Sequence, residues 1–167
     1  MGNSTVPQKH CVILEAPHTS IWDFAIGYFY YRALGGHLKV MIKKEAFFFP
    51  FGLLLKALGG IPIDRKNPTK AIMDIIRNMD SSETFHLVIC PEGTRKAVKN
   101  WKTGYHTIAS AAKLPVYLSA VDWGHKRAGI FAEFEISSDA RSDTRRIQEI
   151  YGKQGFVGKH PEGYITE

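Results

Sequence analysis

The sequence has little that would cross-link a fold or hold a metal ion. Its 167 residues include two cysteines, Cys11 and Cys90, and no CxxC or Cys/His spacing of the kind that binds zinc. Each cysteine lies in a short apolar run, which is typical of a reduced thiol in a protein core. The sequence therefore predicts neither a disulfide scaffold nor a metal site, and it favours a reducing compartment.

Long apolar runs are also missing. No segment reaches the roughly 18 consecutive apolar residues that a transmembrane helix needs. The most apolar segment, residues 46–55, is short and is interrupted by Pro50 and Gly52. The apolar run at residues 11–14 is too short for a signal peptide. We therefore expect a cytoplasmic protein that associates with the inner face of the membrane peripherally.

What is present is a globular and basic composition. Hydrophobic residues make up 44% of the chain, which is typical of one folded domain at this length. The formal net charge of +6 favours anionic partners, namely nucleic acid, acidic lipid, a phosphorylated substrate or an acidic carrier protein. No RRM, KH or zinc signature is present and the basic residues form no single stripe, which disfavours a nucleic-acid-binding module.

Short apolar runs alternate with segments of helical length. We predict strands at residues 11–16, 38–42, 61–63, 86–90, 115–121 and 130–136. We predict helices at residues 19–34, 45–58, 68–79, 105–113 and 144–151, the second of them broken near Pro50. This alternation predicts a single α/β domain over residues 1–167, in which helices flank a central mixed, partly parallel sheet. Sites in such sheets gather at the carboxyl ends of the strands.

A histidine and a carboxylate lie where the first predicted strand gives way to a helix. His18 follows the strand and Asp23 falls in the first turn of the helix, so a tight turn brings the carboxylate to an imidazole nitrogen. Such a contact fixes the tautomer and leaves the other nitrogen free to accept a proton. A helix-capping aspartate beside an incidental histidine is the alternative for this pair alone.

Two more turns carry charges at predicted strand ends. Residues 90–95 (CPEGTR) place Glu92 and Arg95 after one strand, and residues 59–65 (GGIPIDR) place Arg65 after another. Arginine is well suited to bind phosphate. A surface turn is the alternative for each segment, with a solvated Glu92–Arg95 ion pair in the first case.

Taken together and in this order, the segments resemble the motifs of the glycerolipid acyltransferases, the family of lysophosphatidate and glycerol-3-phosphate acyltransferases. His18 and Asp23 match its His-x-x-x-x-Asp motif, and residues 59–65 match Gly-x-Ile-x-x-Asp-Arg. Residues 90–95 match Phe-Pro-Glu-Gly-Thr-Arg, with Cys90 in place of phenylalanine. The remaining matches are the Lys-Glu and Pro-containing segment at 44–52, the Lys-x-Gly at 102–104 and the Leu-Pro at 114–115, which lacks the family's second proline.

The resemblance implies an O-acyltransferase of phospholipid biosynthesis. It would move a fatty acyl group from acyl-CoA or acyl carrier protein to the hydroxyl of a lysophospholipid, with 1-acyl-glycerol-3-phosphate as the expected acceptor. His18 would act as general base and Asp23 would orient it, so that no protein nucleophile is needed. The expected partners are the lysophospholipid, the thioester donor and an anionic membrane surface, with no cofactor, metal or nucleic acid.

The resemblance also assigns two groups of supporting residues. The cations expected to bind the acceptor phosphate are Arg65, Arg95 and Lys44. The segment expected to provide amides for the oxyanion of the tetrahedral intermediate consists of Glu92, Gly93 and Thr94.

The phenylalanine-rich segment at residues 47–51 has two explanations. It forms either a buried core helix or a hydrophobic lip, in which Phe47, Phe48 and Phe51 enter one leaflet and admit the acyl chain. Three consecutive phenylalanines cannot all face one side of a helix, which favours partial membrane contact.

Other functions fit parts of the same pattern. The acyl group could pass to another lysolipid or an aminolipid, or water could replace the alcohol in a thioesterase-like hydrolysis. A catalytically silent lipid-binding protein is the alternative outside enzymes, and the presence of both His18 and Asp23 disfavours it.

Overall fold

The computed structural model describes residues 5–6, 8–64 and 66–165, over which strands and helices alternate as the apolar pattern predicts. The strands are β1 (His10–Glu15), β2 (Leu38–Lys43), β3 (Gly60–Ile63), β4 (Phe85–Ile89), β5 (Val116–Asp122) and β6 (Arg127–Phe134). The helices are α1 (Ile21–Ala33), α2 (Phe51–Ala57), α3 (Pro68–Asp80), α4 (Gly104–Ala112) and α5 (Ala140–Gln154). Short 3₁₀ helices lie at Lys44–Ala46 and Pro161–Gly163.

Two helices depart from the predicted bounds. The segment predicted as one helix over residues 45–58 is a 3₁₀ turn followed by α2, and the two are separated at Pro50, which has no amide hydrogen to continue a helix. Helix α5 begins at Ala140, four residues before the predicted start. Its first turn is polar, and the Asp139 carboxylate caps it by accepting from the amides of Arg141 and Ser142.

The sheet has the strand order β3-β2-β4-β1-β5-β6. Strand β1 pairs in parallel with β4 and β5, β2 pairs in parallel with β3 and β4, and β6 runs antiparallel to β5. The predicted mixed, partly parallel sheet is therefore confirmed. Because the carboxyl ends of the parallel strands meet at one edge of the sheet, the segments after β4, β1 and β5 lie next to one another there.

Alternation along β1 divides the core into two layers. Val12 and Leu14 face the larger layer, where α3, α4 and α5 pack on the sheet. Cys11 and Ile13 face the smaller layer, where α1 contributes Tyr31. Both cysteines are free thiols, and Cys11 is buried in β1 as the sequence predicts, whereas Cys90 is half-buried and lies just after β4 rather than inside a strand.

Across residues 5–6, 8–64 and 66–165, no helix combines the length and the apolar character that crossing a bilayer requires.

Tyr151 joins α5 to two neighbouring strands of the sheet, β1 and β5. Its side chain is fully buried, and its hydroxyl donates to the carbonyl oxygens of Leu14 in β1 and Ser119 in β5, both at 2.8 Å. The ring also packs edge-on against Trp101 and Phe131. One side chain thus fixes the spacing of the strands that lead into the region around His18.

We expect Tyr151→Phe to lower the free energy of unfolding by about 1–2 kcal/mol, because two buried carbonyl groups lose a donor while the packing volume is kept. Chemical denaturation monitored by circular dichroism measures this. Tyr28→Phe, at a half-buried position on α1, serves as the control and should change stability by less than about 0.5 kcal/mol. Equal stability of Tyr151→Phe and the parent protein would contradict the assigned role.

Candidate active site at the carboxyl edge of the sheet

His18 and Asp23 come together as the sequence predicts. His18 lies in the turn between β1 and α1, and its Nδ1 is 3.4 Å from Oδ2 of Asp23 in the first turn of the helix. At this distance the two atoms form an electrostatic contact rather than a well-formed hydrogen bond, and catalytic contacts often shorten only when substrate binds. The His18 side chain is 19% exposed, so the imidazole is accessible from one side.

Asp23 is a fully buried carboxylate held by several donors. Its Oδ2 accepts from the amides of Thr19 and Ser20, both at 2.7 Å, and its Oδ1 accepts from the indole Nε1 of Trp123 at 2.7 Å. Burial by itself raises the pKa of Asp23, but the neighbouring His18 and the hydrogen bonds from Ser20, Trp123 and Thr19 outweigh it and lower the pKa below its usual value. The carboxylate therefore stays ionised beside the imidazole.

The same aspartate also caps α1. Ser20 is the N-cap residue, and its hydroxyl accepts from the amide of Trp22 at 3.3 Å while Asp23 accepts from the amide of Ser20. The capping role and the contact with His18 were alternatives in the sequence, and the structure gives both to one side chain. The formation of α1 thus places the Asp23 carboxylate next to Nδ1 of His18.

Glu92 points into the protein rather than into solvent. Strand β4 lies beside β1, and Oε2 of Glu92 accepts from the backbone amide of His18 at 2.9 Å. Glu92 is only 3% exposed, whereas Arg95 is exposed and makes no ion pair with any residue that the structure describes. The alternative of a solvated surface pair between Glu92 and Arg95 is therefore wrong, and Glu92 fixes the His18 turn instead.

Two buried glutamates surround the ionised aspartate. Burial, followed by the charges of Asp23 and Glu92, raises the pKa of Glu15 to about 8. Burial and the charge of Asp23 raise the pKa of Glu92 to about 8, against the opposing effect of the His18 amide. Both glutamates are thus mainly neutral at pH 7, which leaves Asp23 as the principal negative charge.

Among the described residues, no three His, Cys, Asp or Glu side chains are arranged to hold a metal ion.

The turn at residues 92–94, which was expected to face the oxyanion, has one amide already engaged. The amide of Gly93 donates to the carbonyl of Cys90 at 3.0 Å, and Gly93 takes the positive φ of 68° that glycine adopts most easily. Within the described part of the chain, the amides of Glu92 and Thr94 donate to no other group. These two amides, rather than that of Gly93, are available for a developing negative charge.

Lys44 lies at the carboxyl end of β2, where its Nζ is 2.6 Å from Oδ2 of Asp64 after β3. This hydrogen bond raises the pKa of Lys44, so the lysine is charged but already paired. Because β4 lies between β2 and β1, Lys44 is displaced along the sheet edge from the His18 turn. Arg65, the third cation predicted to bind phosphate, lies outside the described residues.

The aromatic segment is exposed. Phe48, Phe49 and Phe51 are 60%, 84% and 56% exposed, and Phe47 is half-buried. Leu53 and Leu54 of α2 are exposed beside them. The alternative of a buried core helix is therefore wrong, because this segment packs against little of the domain.

Sequence reasoning assigned no role in the site to two parts of the chain that reach it. Trp123 directly follows β5, which is the parallel neighbour of β1, and its indole donates to Asp23. Its position after a predicted strand was the signal in the sequence, because the carboxyl ends of parallel strands meet at one edge. The segment from Gly158 to Glu162 also reaches the site, where the amide of His160 donates to Oγ1 of Thr19 at 3.2 Å. No local pattern in the sequence indicates that second contact.

The raised pKa of Glu92 predicts a pH-dependent stability. A carboxyl whose pKa is near 4.5 when unfolded and about 8 when folded holds its proton longer in the folded state, so stability falls as pH rises from about 5 to 8. Glu92→Gln keeps an acceptor for the His18 amide and removes this titration. We expect the free energy of unfolding of the variant to decline less steeply with pH than that of the parent, and the two slopes should differ by up to about 1.4 kcal/mol per pH unit.

Urea denaturation at several pH values measures the slope. Glu149→Gln, at an exposed position, should keep the parent slope, and an unchanged slope in Glu92→Gln would contradict the prediction.

A family model described as Acyltransferase matches residues 1–121. The 1-acyl-sn-glycerol-3-phosphate acyltransferase of Streptococcus pneumoniae is 31% identical over 110 residues, which cover 65% of this chain and 40% of that protein. The match thus spans less than half the length of this curated relative.

A solved structure shares the fold. The crystal structure of the 1-acyl-sn-glycerophosphate (LPA) acyltransferase PlsC from Thermotoga maritima superposes with a TM-score of 0.64 at 18% sequence identity. The match covers 95% of this chain and 73% of that one. The residues that match the family model include the His18–Asp23 pair and the Glu92 turn, and they make up more than half of the chain. This chain therefore belongs to the acyltransferase family.

Proposed function

We propose that this protein transfers a fatty acyl group from a thioester to the free hydroxyl of a lysophospholipid, with 1-acyl-glycerol-3-phosphate as the preferred acceptor. The observation that carries the proposal is an accessible imidazole, that of His18, set against the buried and ionised Asp23 within an acyltransferase domain. The name of the Streptococcus pneumoniae relative supports this choice of acceptor.

The chemistry needs a base because an alcohol is a poor nucleophile near neutral pH. With Nδ1 turned toward Asp23, Nε2 of His18 takes the hydroxyl proton as the alcohol oxygen attacks the thioester carbonyl. The tetrahedral intermediate then collapses, the carbon–sulfur bond breaks, and the imidazolium returns the proton to the leaving thiolate. Asp23 stabilises the imidazolium between the two steps, so no acyl-enzyme is required.

The turn after β4 supports the same reaction. The amides of Glu92 and Thr94 are the donors proposed for the oxyanion, and the neutral Glu92 side chain holds the His18 backbone. Arg95 is the cation from this turn proposed to bind the acceptor phosphate, since it is exposed and pairs with no carboxylate of the described residues. Lys44 and Arg65 remain predicted phosphate ligands.

The proposed donor is acyl-CoA or acyl carrier protein, and the reaction takes place at the inner face of an anionic membrane. Phe48 and Phe51 are proposed to enter the lipid with their exposed neighbours, and Lys43 and Lys56 flank this surface with positive charge. A peripheral contact of this kind combines apolar burial with electrostatic attraction.

Replacing His18 with alanine should lower kcat by at least about 100-fold, because the general base is lost. A continuous thiol-release assay with acyl-CoA and 1-acyl-glycerol-3-phosphate measures the rate. His37→Ala, at an exposed position before β2, should retain parent activity. Turnover near the parent rate in folded His18→Ala protein would overturn the mechanism.

Replacing Phe48 with aspartate should weaken binding to anionic vesicles by about tenfold or more, since an inserted phenylalanine contributes about 1.5–3 kcal/mol. Sedimentation with vesicles that contain phosphatidylglycerol measures the binding. Met73→Asp introduces the same charge at an exposed apolar position on α3 and should leave binding unchanged. Equal losses in the two variants would argue against a specific aromatic contact.

A further inference from the structure

An open pocket of about 500 Å³ lies beside the His18 turn, and three separate segments form its walls. Thr19 in the His18 turn and Trp22 at the start of α1 form the first wall, and Arg95 belongs to the turn after β4. The third wall is the chain after α5, which contributes Lys159 and His160. This last segment lies beyond residues 1–121 and therefore outside the part of the chain that the family model matches.

The segment after α5, here called the C-terminal strap and defined as residues 156–164, is fixed to the site by its backbone. The carbonyl of Val157 accepts from the amide of Trp123 at 2.9 Å, and the amide of Val157 donates to Oδ1 of Asp122 at 3.2 Å. The amide of His160 donates to Oγ1 of Thr19 at 3.2 Å. The strap is thus attached to the end of β5 and to the His18 turn.

Two glycines allow the strap to lie flat against these walls. A Cβ added at Gly158 would stand 2.6 Å from Cγ2 of Thr19, and one added at Gly163 would stand 2.9 Å from the carbonyl oxygen of Arg95. Both glycines are buried. The close approach brings Lys159 and His160, which lie between them, to the pocket.

Lys159 is held between two indole rings. Its Nζ is 5.2 Å from the ring centroid of Trp22 and 4.8 Å from that of Trp123, within the range of cation–π attraction. Trp123 in turn donates to Asp23, so the lysine is oriented by residues of the site. An aromatic clamp restricts a flexible lysine without neutralising its charge.

The pocket gathers positive charge that no described carboxylate neutralises. Arg95, Lys96 and Lys159 all line it, and none of them forms an ion pair with a residue that the structure describes. The acidic side chain on the strap, Glu162, lies 3.8 Å from His160 instead. Such a group of unpaired cations suits a multiply charged anion, and a phosphate monoester is the one that the proposed acceptor carries.

We propose that the C-terminal strap completes the phosphate site for the acyl acceptor, with Lys159 and Arg95 binding the phosphate from different walls of the pocket. This inference rests on the proposed transfer to a phosphorylated lysolipid. In that acceptor the phosphate is only a few bonds from the free hydroxyl, and Thr19 in the pocket wall directly follows His18. Binding the phosphate here brings the hydroxyl toward the base.

The test compares Lys159→Gln and Arg95→Ala with the parent enzyme on two acceptors, 1-acyl-glycerol-3-phosphate and the neutral 1-monoacylglycerol. We expect each variant to raise the apparent KM for the phosphorylated acceptor about tenfold or more, while the KM for the neutral acceptor and for acyl-CoA stays the same. Lys159→Arg should restore most of the loss because it keeps the charge. Lys153→Gln, at an exposed position on α5, should behave as the parent.

Three kinetic results would overturn the inference. Equal losses for both acceptors in Lys159→Gln would mean that the lysine only supports Trp123 and Asp23. A rise confined to the KM for acyl-CoA would assign the pocket to the phosphates of the donor. Parent-like kinetics of Lys159→Gln would remove the strap from the site.

A binding measurement without any thioester separates this inference from the proposed function. Titration calorimetry with an ether analogue of 1-acyl-glycerol-3-phosphate should give at least about tenfold weaker binding to Lys159→Gln than to the parent. If the parent binds the analogue in this way but transfers no acyl group, the proposed function fails and the phosphate site stands. If acyl transfer occurs but the variant binds the analogue as the parent does, the phosphate site fails and the proposed function stands.

Discussion

The site depends on one buried charge, the carboxylate of Asp23. A buried carboxylate is tolerated only when donors surround it, and here the donors come from the His18 turn, from the N-cap of α1 and from Trp123 after β5. The charge therefore ties together two parts of the chain that the sheet brings to the same edge, the turn that leads from β1 into α1 and the residue that follows β5. It also sets the orientation of His18, whose Nδ1 faces the carboxylate, and it supports Trp123, over whose ring Lys159 lies.

The surroundings keep that charge on a single residue. Glu15 and Glu92 are buried next to Asp23, and burial raises the pKa of both to about 8. Three ionised carboxyl groups this close would repel one another, so the two glutamates keep their protons and Asp23 keeps its charge because it has the N–H donors. Glu92 then works as a neutral spacer that accepts from the His18 amide and keeps the turn after β4 against the turn after β1.

The exposed features match the two ends of an amphiphilic substrate. The pocket beside His18 carries unpaired cations from Arg95 and Lys159, which suit an anionic headgroup. The exposed phenylalanines before and within α2 suit lipid, and they follow β2, two strands along the same edge from β1. A lysophospholipid has both characters, which is why the proposed acceptor accounts for the apolar surface and the basic pocket together.

The sequence by itself determined the local parts of this protein. The strand and helix pattern, the break at Pro50 and the contact of His18 with Asp23 all follow from residues within a few positions of one another, where backbone geometry leaves few arrangements. Only the tertiary structure decided that Glu92 turns inward, that Trp123 donates to Asp23 and that His160 reaches Thr19. These contacts join residues 74, 100 and 141 positions apart, and they depend on the strand order and on the path after α5, which no local periodicity encodes.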